Sequence, residues 1–354
     1  MSKVAVLKTS PDSVVDDYGR LLREAGADKA LPKDKELLIK LNLSWSLYFP
    51  ACSTQPWQLE GVLKYLKDKY PEIIPVENRT VVTDPWKGAK LNKWLPILEE
   101  YGLDFTPLTD VEWTMYEPKA EMLAMHDIFP EGFRIPEMFK DKSVLHLPTQ
   151  KTHGHTTITG AMKNAFGGLL TKRRHHSHRM IHEVLVDLLA IQKEIHTGIF
   201  AAMDGAVVGD GAGPRAMTPR EENYILASED QVAIDAVSAK MMGYDPMEID
   251  FIRLAHERGL GVGDPDEIDV IGGDIGDVCY NCHTKKSIVI RGDQLFRKGA
   301  FKIFEPILFH TPLFWFCIQA SALFHDYVWY PTVGKKRINE FNKGRWGQLF
   351  ASYR

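Results

Sequence analysis

From Lys3 to about Gly273, short apolar runs alternate with stretches of helical periodicity. Val4–Leu7, Leu37–Leu41, Thr80–Thr83, Ser143–Leu147, Gly198–Met203 and Ile225–Ala227 read as strands. Val14–Ala25, Lys90–Tyr101, Met180–Ile195, Asp230–Met242 and Met247–Arg258 read as helices. Ser53-Thr54-Gln55-Pro56 opens a further helix, with a hydroxyl cap just before a first-turn proline. Strands alternating with helices of this length predict an α/β fold, a mostly parallel sheet flanked by helices. The pattern lapses twice. Between Leu103 and Lys142 it gives way to an irregular insertion spaced by Pro107, Pro118, Pro130 and Pro136. Beyond Asp274 no further β-α units can be read. The expected organisation is an α/β core over residues 1–274 and an aromatic-rich helical appendage over residues 275–354.

The 354 residues are 44% hydrophobic and 25% charged, which excludes disordered and coiled-coil classes. With 43 Lys+Arg against 47 Asp+Glu, the chain lacks the positive excess that nucleic-acid binding draws on. Four cysteines are too few for a disulfide framework. Asp12 interrupts the first apolar run too soon for a signal peptide, so a cytoplasmic location is expected. Nor does any stretch reach the roughly 18 uninterrupted apolar residues of a spanning helix.

The densest chemistry follows the strand that ends at Pro148: Gln150-Lys151-Thr152-His153-Gly154-His155, then Gly160-Ala161-Met162-Lys163-Asn164. In α/β sheets, ligands bind beyond the carboxyl ends of strands, so this loop is where a site belongs. Thr156 or Thr157 is expected to cap a short helix whose N-terminus favours an anion. Lys151, His153, His155 and Lys163 would then face a carboxylate or phosphate. A second basic run, Lys172–Arg179, precedes His182, and the two segments hold six of the 13 histidines within 30 residues. His178 and His182 lie one helical turn apart, a spacing that suits a metal or a base with its orienting partner. A solvated basic surface accounts for Arg173–His176 equally well.

The strand at Gly198–Met203 delivers Asp204, and glycines surround Asp210 in a run ending at Gly213-Pro214-Arg215. This reads as a tight loop. Asp204 is a candidate to bind a divalent metal with His178 and His182, to hold a ligand hydroxyl, or to orient a histidine. Lys40 and Asn42, at the end of an earlier strand, belong to the same candidate cleft. The expected function is that of an enzyme acting on an anionic small molecule, by proton transfer of the isomerase or epimerase kind or by redox chemistry. Lys40, Asn42, Lys151, Asn164 and Asp210 would bind, while His153, His155, Lys163 and Asp204 carry the reaction. The alternative is a non-catalytic, membrane-peripheral metal- or ligand-binding protein.

Gln150–His153, Gly160–Asn164, Phe166-Gly167-Gly168, Asp204–Pro214 and Ala233–Gly243 together resemble the family called domain of unknown function 362, over about Lys3 to Asp274. Some members of that family carry a ferredoxin-like segment with closely spaced cysteines. This chain lacks that segment, so an iron–sulfur cluster is not carried over. His153 and Lys163, ten residues apart, also resemble a motif of the nickel-pincer lactate racemase family. There the lysine anchors a nickel-pincer nucleotide and histidines bind nickel or move a proton. The likeness is incomplete, because Gly160-Ala161-Met162-Lys163 replaces a double glycine and no Pro-Gly follows.

Cys279-Tyr280-Asn281-Cys282-His283 has the spacing of a c-type haem attachment sequence. A reducible thiol pair, a shared metal and haem are its three readings, and a cytoplasmic setting disfavours haem. Ten aromatics fall between Phe301 and Tyr330, where the overall 10% predicts about three. They are Phe301, Phe304, Phe309, Phe314, Trp315, Phe316, Phe324, Tyr327, Trp329 and Tyr330. Lys335, Lys336, Arg337, Lys343, Arg345 and Arg354 follow. Apolar bulk followed by cations suits an anionic membrane interface on the inner face and a lipophilic substrate; a helical lid and a homo-oligomer surface are the competing readings.

Overall fold

A computed structural model of the chain describes residues 1–80, 83–170, 172–286, 292 and 319–353, with the side chains of residues 172–175 excluded. In chain order the first elements are β1 (Ser2–Lys8), α1 (Val14–Glu24), α2 (Ala27–Ala30), β2 (Leu37–Lys40), α3 (Pro56–Leu66) and β3 (Ile73–Glu77). Then come α4 (Pro85–Leu91), α5 (Trp94–Glu100), β4 (Thr106–Pro107), β5 (Trp113–Tyr116), α6 (Met125–Ile128) and β6 (Phe133–Pro136). The middle of the chain forms β7 (Ser143–His146), β8 (Thr149–His153), β9 (Thr157–Thr159), α7 (Ala161–Leu169) and α8 (Ile181–Ile195). A long hairpin, β10 (Ile199–Ala212) and β11 (Ala216–Ser228), leads to α9 (Gln231–Met242), α10 (Asp250–Glu257) and β12 (Ile268–Ile271). The last described helices are α11 (Leu323–Gly334, wound with π-type turns), α12 (Lys335–Phe341) and α13 (Arg345–Ser352).

The main sheet runs β12-β1-β11-β10-β7-β2-β3-β4, with β8 paired to β10 and β9 to β8. Its pairings are parallel except along β1–β11, β10–β11 and β8–β9, so the α/β architecture is the expected one. The strands β2, β3 and β7 are buried at nearly every position, as a sheet covered on both faces requires. One face is covered by α1, α3 and α5 through Tyr18, Leu21, Trp57, Val62, Trp94 and Ile97. The other is covered by α7, α8, α9 and α10 through Met162, Val184, Leu188, Val232 and Phe251.

Several elements differ from the sequence reading. The glycine-rich run after Asp204 is not a loop but the second half of β10. It pairs antiparallel with β11 from Val207–Glu221 to Ala212–Ala216, and only Gly213 to Arg215 turn. The glycines serve close packing there: a Cβ on Gly205 would overlap Gln150 of β8, and one on Gly209 would overlap Met217 of β11. Helix α3 is capped at Gln55, not at a hydroxyl, and the Gln55 amide donates to Gln58 Oε1 at 3.2 Å. The Lys90–Tyr101 helix is two helices, broken at Lys93, whose φ is 61°. Strand β3 was masked in the sequence by prolines on either side of Ile73 and Ile74, and residues 81–82 of the expected Thr80–Thr83 strand lie outside the described residues.

The segment after β9 is capped in a way the sequence did not predict. Thr157 lies in β9 at φ 64° and caps nothing. Helix α7 is instead capped by Asp235 of α9, whose carboxylate accepts the Ala161 amide at 2.6 Å and the Met162 amide at 3.0 Å. The anion favoured at that N-terminus is therefore part of the protein.

At the far end of the chain, α13 packs into the α1/α3 face rather than standing apart. Trp346 is buried, its ring centroid 5.0 Å from that of Trp57, and its indole donates to Asn223 at 2.7 Å. Phe350 stacks on Tyr48 at 3.5 Å, and Lys93 donates to the Phe350 and Tyr353 carbonyls at 2.9 and 2.5 Å.

A Cβ on Gly160 would overlap the Asp235 carboxylate. Gly160→Ala should therefore cost about 2–3 kcal/mol of stability in urea denaturation, as overpacking of a buried contact does. A change below about 0.5 kcal/mol would show that the cap is not as tight as the contact implies.

Candidate active site

Lys40, Glu77 and His146 are the last residues of β2, β3 and β7, three neighbouring parallel strands. Ligands of open α/β sheets gather at such strand ends, and here those ends carry a continuous buried polar network. Lys40 Nζ lies 2.9 Å from both oxygens of Glu77 and donates to the Leu41 carbonyl at 2.6 Å. Asn164, from the second turn of α7, donates to the Lys40 carbonyl at 3.0 Å and meets His146 Nδ1 at 3.3 Å. His146 Nε2 contacts Gln192 Oε1 of α8 at 2.7 Å. Burial pushes His146 down to about 3, so it stays neutral. Asn42 donates to Asn164 Oδ1 at 3.1 Å and accepts from Lys151 Nζ at 2.8 Å.

Lys151 ends the network and differs from Lys40. It is fully buried, and its two hydrogen bonds go to neutral oxygens, Asn42 Oδ1 and Thr149 Oγ1, the latter at 2.5 Å. Among the described residues no carboxylate pairs with it. Burial lowers its pKa to about 7, against a weaker pull upward from Cys52; Lys163 adds to the lowering. Two residues further along β8, His153 is also buried. Its Nδ1 accepts the His155 amide at 3.2 Å, so in the neutral ring the proton sits on Nε2. Burial, then the charges of Lys163, His155, His178 and Lys151, hold His153 well below the usual histidine range. The ring centroids of His155 and His178 lie 5.3 Å apart, and those of His153 and His155 lie 5.9 Å apart. Lys163 is half-buried, with its Nζ 5.4 Å from the centre of the Phe166 ring.

The structure thus brings together Lys40, Asn42, Lys151, His153, His155, Lys163, Asn164 and His178. It does not bring in the others. Asp204 lies on the opposite face of the sheet, where one carboxylate oxygen accepts from Tyr18 at 3.0 Å and from Trp57 at 2.7 Å. Burial raises Asp204 to about 6 against those two hydrogen bonds, and it orients no histidine. His182 is turned to α10, where it accepts the Phe251 amide at 3.2 Å and stacks on that ring. The expected metal set of His178, His182 and Asp204 is therefore not assembled. Among the described residues no group of three or more His, Cys, Asp or Glu is placed to hold a metal ion. Among the described residues the nickel-pincer likeness rests on the His153–Lys163 spacing alone.

Asp210 accepts the His283 amide at 2.8 Å and lies 3.8 Å from Arg220, tying down the segment that holds the two cysteines. Cys279 is exposed, whereas Cys282 is buried and pushed up to about 12 by that burial and by Asp210. Cys282 is thus a protonated thiol in a strap bonded to the end of α9, its amide donating to the Met242 carbonyl at 2.9 Å.

Sequence reasoning missed Glu77, His146, Gln192 and Thr149; it placed Asp235 on a helix and aimed it back toward the sheet, but without its partner, the start of α7. A signal for two of them existed. Glu77 and His146 each end an apolar run with a single polar residue, as Lys40 does. Asp235 and Gln192 sit inside apolar helices, where only the tertiary partner shows what they bond.

The family described as Domain of unknown function (DUF362) matches residues 37–240, and the chain belongs to it. That span contains every residue of the polar network and the histidine cluster. A "Thylakoid-associated protein sll1697" of Synechocystis sp. (strain ATCC 27184 / PCC 6803 / Kazusa) is 30% identical over 180 residues, 49% of this chain and 52% of its own length. The chain thus aligns with about half the length of that curated relative. No solved structure matches.

The Lys151 pKa sets a pH dependence. Folding lowers it from 10.5 to about 7, so between those values the unfolded chain binds more protons than the native one. Stability relative to Lys151→Met should rise from pH 7 towards pH 10, by at most about 1.4 kcal/mol per pH unit. Urea denaturation of both proteins at several pH values checks this; parallel curves would mean that Lys151 titrates normally.

Proposed function

We propose that the protein is an enzyme that moves a proton on an anionic small molecule, with Lys151 and His153 as the reacting pair. The observation that carries this reading is a buried lysine without a carboxylate partner beside a neutral histidine. With a pKa near 7, Lys151 exchanges between ammonium and amine at physiological pH, as a general acid-base group must. In the amine form both N–H groups are committed to Asn42 and Thr149, which leaves the nitrogen lone pair for a substrate proton. His153 offers Nε2–H to a carbonyl or hydroxyl oxygen on which charge develops. Lys163, nearer the surface, meets the negative group that recruits the substrate. Isomerisation or epimerisation next to a carboxylate is the reaction class these roles serve.

The test needs no named substrate. In D2O, with the small-molecule extract of its native host, the protein should introduce deuterium at carbon in at least one anionic compound. Mass spectrometry should find at least a hundredfold less exchange with Lys151→Met or His153→Ala. Absence of exchange in the wild type, or undiminished exchange in both variants, would overturn the reading.

A second reading, association with a membrane surface, is favoured by α11. Leu323, Tyr327, Val328 and Val333 are exposed there, with exposed Lys335 and Lys336 directly following. Arg337 and Arg345 are engaged instead with the Met217 carbonyl and Asp12. Phe301, Phe304, Phe309, Phe314, Trp315 and Phe316 lie outside the described residues. Among the described residues no helix is long and apolar enough to cross a membrane, so the contact would be peripheral. The Synechocystis relative is named as thylakoid-associated, which agrees with a membrane setting. The protein should float with anionic liposomes at low salt, less at high salt, and less again as Leu323→Ser/Tyr327→Ser. If the wild type stays in the soluble fraction throughout, this reading falls.

A further inference from the structure

The turn that joins β10 to β11 lies against the reacting strand. Gly213 packs so closely on the Thr152 carbonyl that a Cβ there would overlap it, and the Gly154 amide donates to the Gly213 carbonyl at 3.4 Å. Thr152 stands between Lys151 and His153. The same turn is held from its other side by the loop after β2, where the Cys52 thiol donates to the Pro214 carbonyl at 3.1 Å. That loop is bonded in turn to the partner of Lys151, since Thr149 Oγ1 donates to the Ala51 carbonyl at 2.8 Å. Contacts therefore run from Lys151 through Thr149, Ala51, Cys52 and Pro214 to Arg215.

Arg215 is not in the polar network described above. Its Nη1 is buried and has no hydrogen-bond partner, and among the described residues no carboxylate pairs with its guanidinium. Cys52 beside it cannot serve as the counter-charge, because burial pushes that thiol up to about 11. Asp326 of α11, whose charge acts on Arg215 from a distance, is bonded to the Trp45 indole at 2.7 Å. The roof over this corner is closed by Tyr330 donating to the Tyr48 carbonyl at 3.2 Å and by Trp329 packed on Trp45 and Phe49. A planar guanidinium with an unspent buried N–H is a ready partner for a carboxylate or phosphate.

We propose that Arg215 anchors a second oxyanion of the ligand, at the end of the site remote from Lys163, with Lys151 between the two. The inference rests on Lys151 belonging to a ligand site. It narrows the substrate class to small molecules with anionic groups at both ends, such as dicarboxylates or phosphorylated acids. Lys163 recruits one end, Arg215 holds the other, and the bond whose proton moves lies beside the Lys151 amine.

Calorimetric titration of the full-length protein with succinate, glutarate and phosphonoacetate, each against butyrate at one ionic strength, tests this. At least one dianion should bind tenfold or more tightly than butyrate. Arg215→Gln should erase that preference, and Arg215→Lys, which keeps the charge, should restore most of it; thermal melts confirm that both variants fold. A wild type without the preference, or an Arg215→Gln protein that retains it, overturns the proposal. The two readings fail separately. If Arg215→Gln removes the dianion preference while Lys151→Met and His153→Ala leave deuterium exchange intact, the subsite stands and the proton-transfer reading falls. If exchange depends on Lys151 and His153 but the preference survives in Arg215→Gln, only the subsite falls.

Discussion

The buried ion pair between Lys40 and Glu77 is the constraint around which the site is built. Two charges withdrawn from water are tolerable only when their remaining hydrogen-bonding positions are satisfied. That requirement recruits the Leu41 carbonyl, the Asn78 amide, which donates to Glu77 at 2.7 Å, and the close approach of α7 at Gly167 and Gly168. Once α7 is seated on the Lys40 stem, Asn164 reaches the strand ends and Lys163, one residue earlier, faces the histidines. The geometry of the groups proposed to react is thus inherited from a pair outside the proposed chemistry.

Within one network the same residue type occupies two electrostatic states. Lys40 has its counter-charge, whereas Lys151 is solvated only by an amide and a hydroxyl. Asn42 and Asn164 separate the two, and their amide dipoles relay orientation without supplying charge. Their side chains accept at one end and donate at the other, which fixes which way each amide is turned. Replacing Asn42 by an acid would give Lys151 a partner and draw its pKa back up, so a neutral side chain at this position has a chemical rationale.

Much of the architecture could be read from the residues, because strands buried on both faces announce themselves as apolar runs and the helices between them keep their period. Val14–Ala25 and Met180–Ile195 were placed to within a residue or so of α1 and α8 for that reason. The failures have physical causes. Between Asp204 and Ala212 glycine signals close packing of two strands, which in sequence looks the same as a turn. Asp204 itself was misjudged because its partners, Tyr18 and Trp57, come from helices far away in sequence. The histidine-lysine segment was legible through its density and its place after a strand. Arg215 and Glu77 were not, since each is a single charge whose meaning depends on what folding leaves unpaired or pairs.

The packing of α13 has a consequence for how the protein is made. Trp346 and Phe350 close the same face of the sheet as Tyr18 and Trp57, more than three hundred residues after β1 is synthesised. Until α13 has been made, that face stays incomplete, and the indole of Trp57 lacks its neighbour Trp346. A nascent chain of this design exposes a tryptophan-lined surface for most of its synthesis, the kind of surface that makes an incomplete fold prone to aggregate.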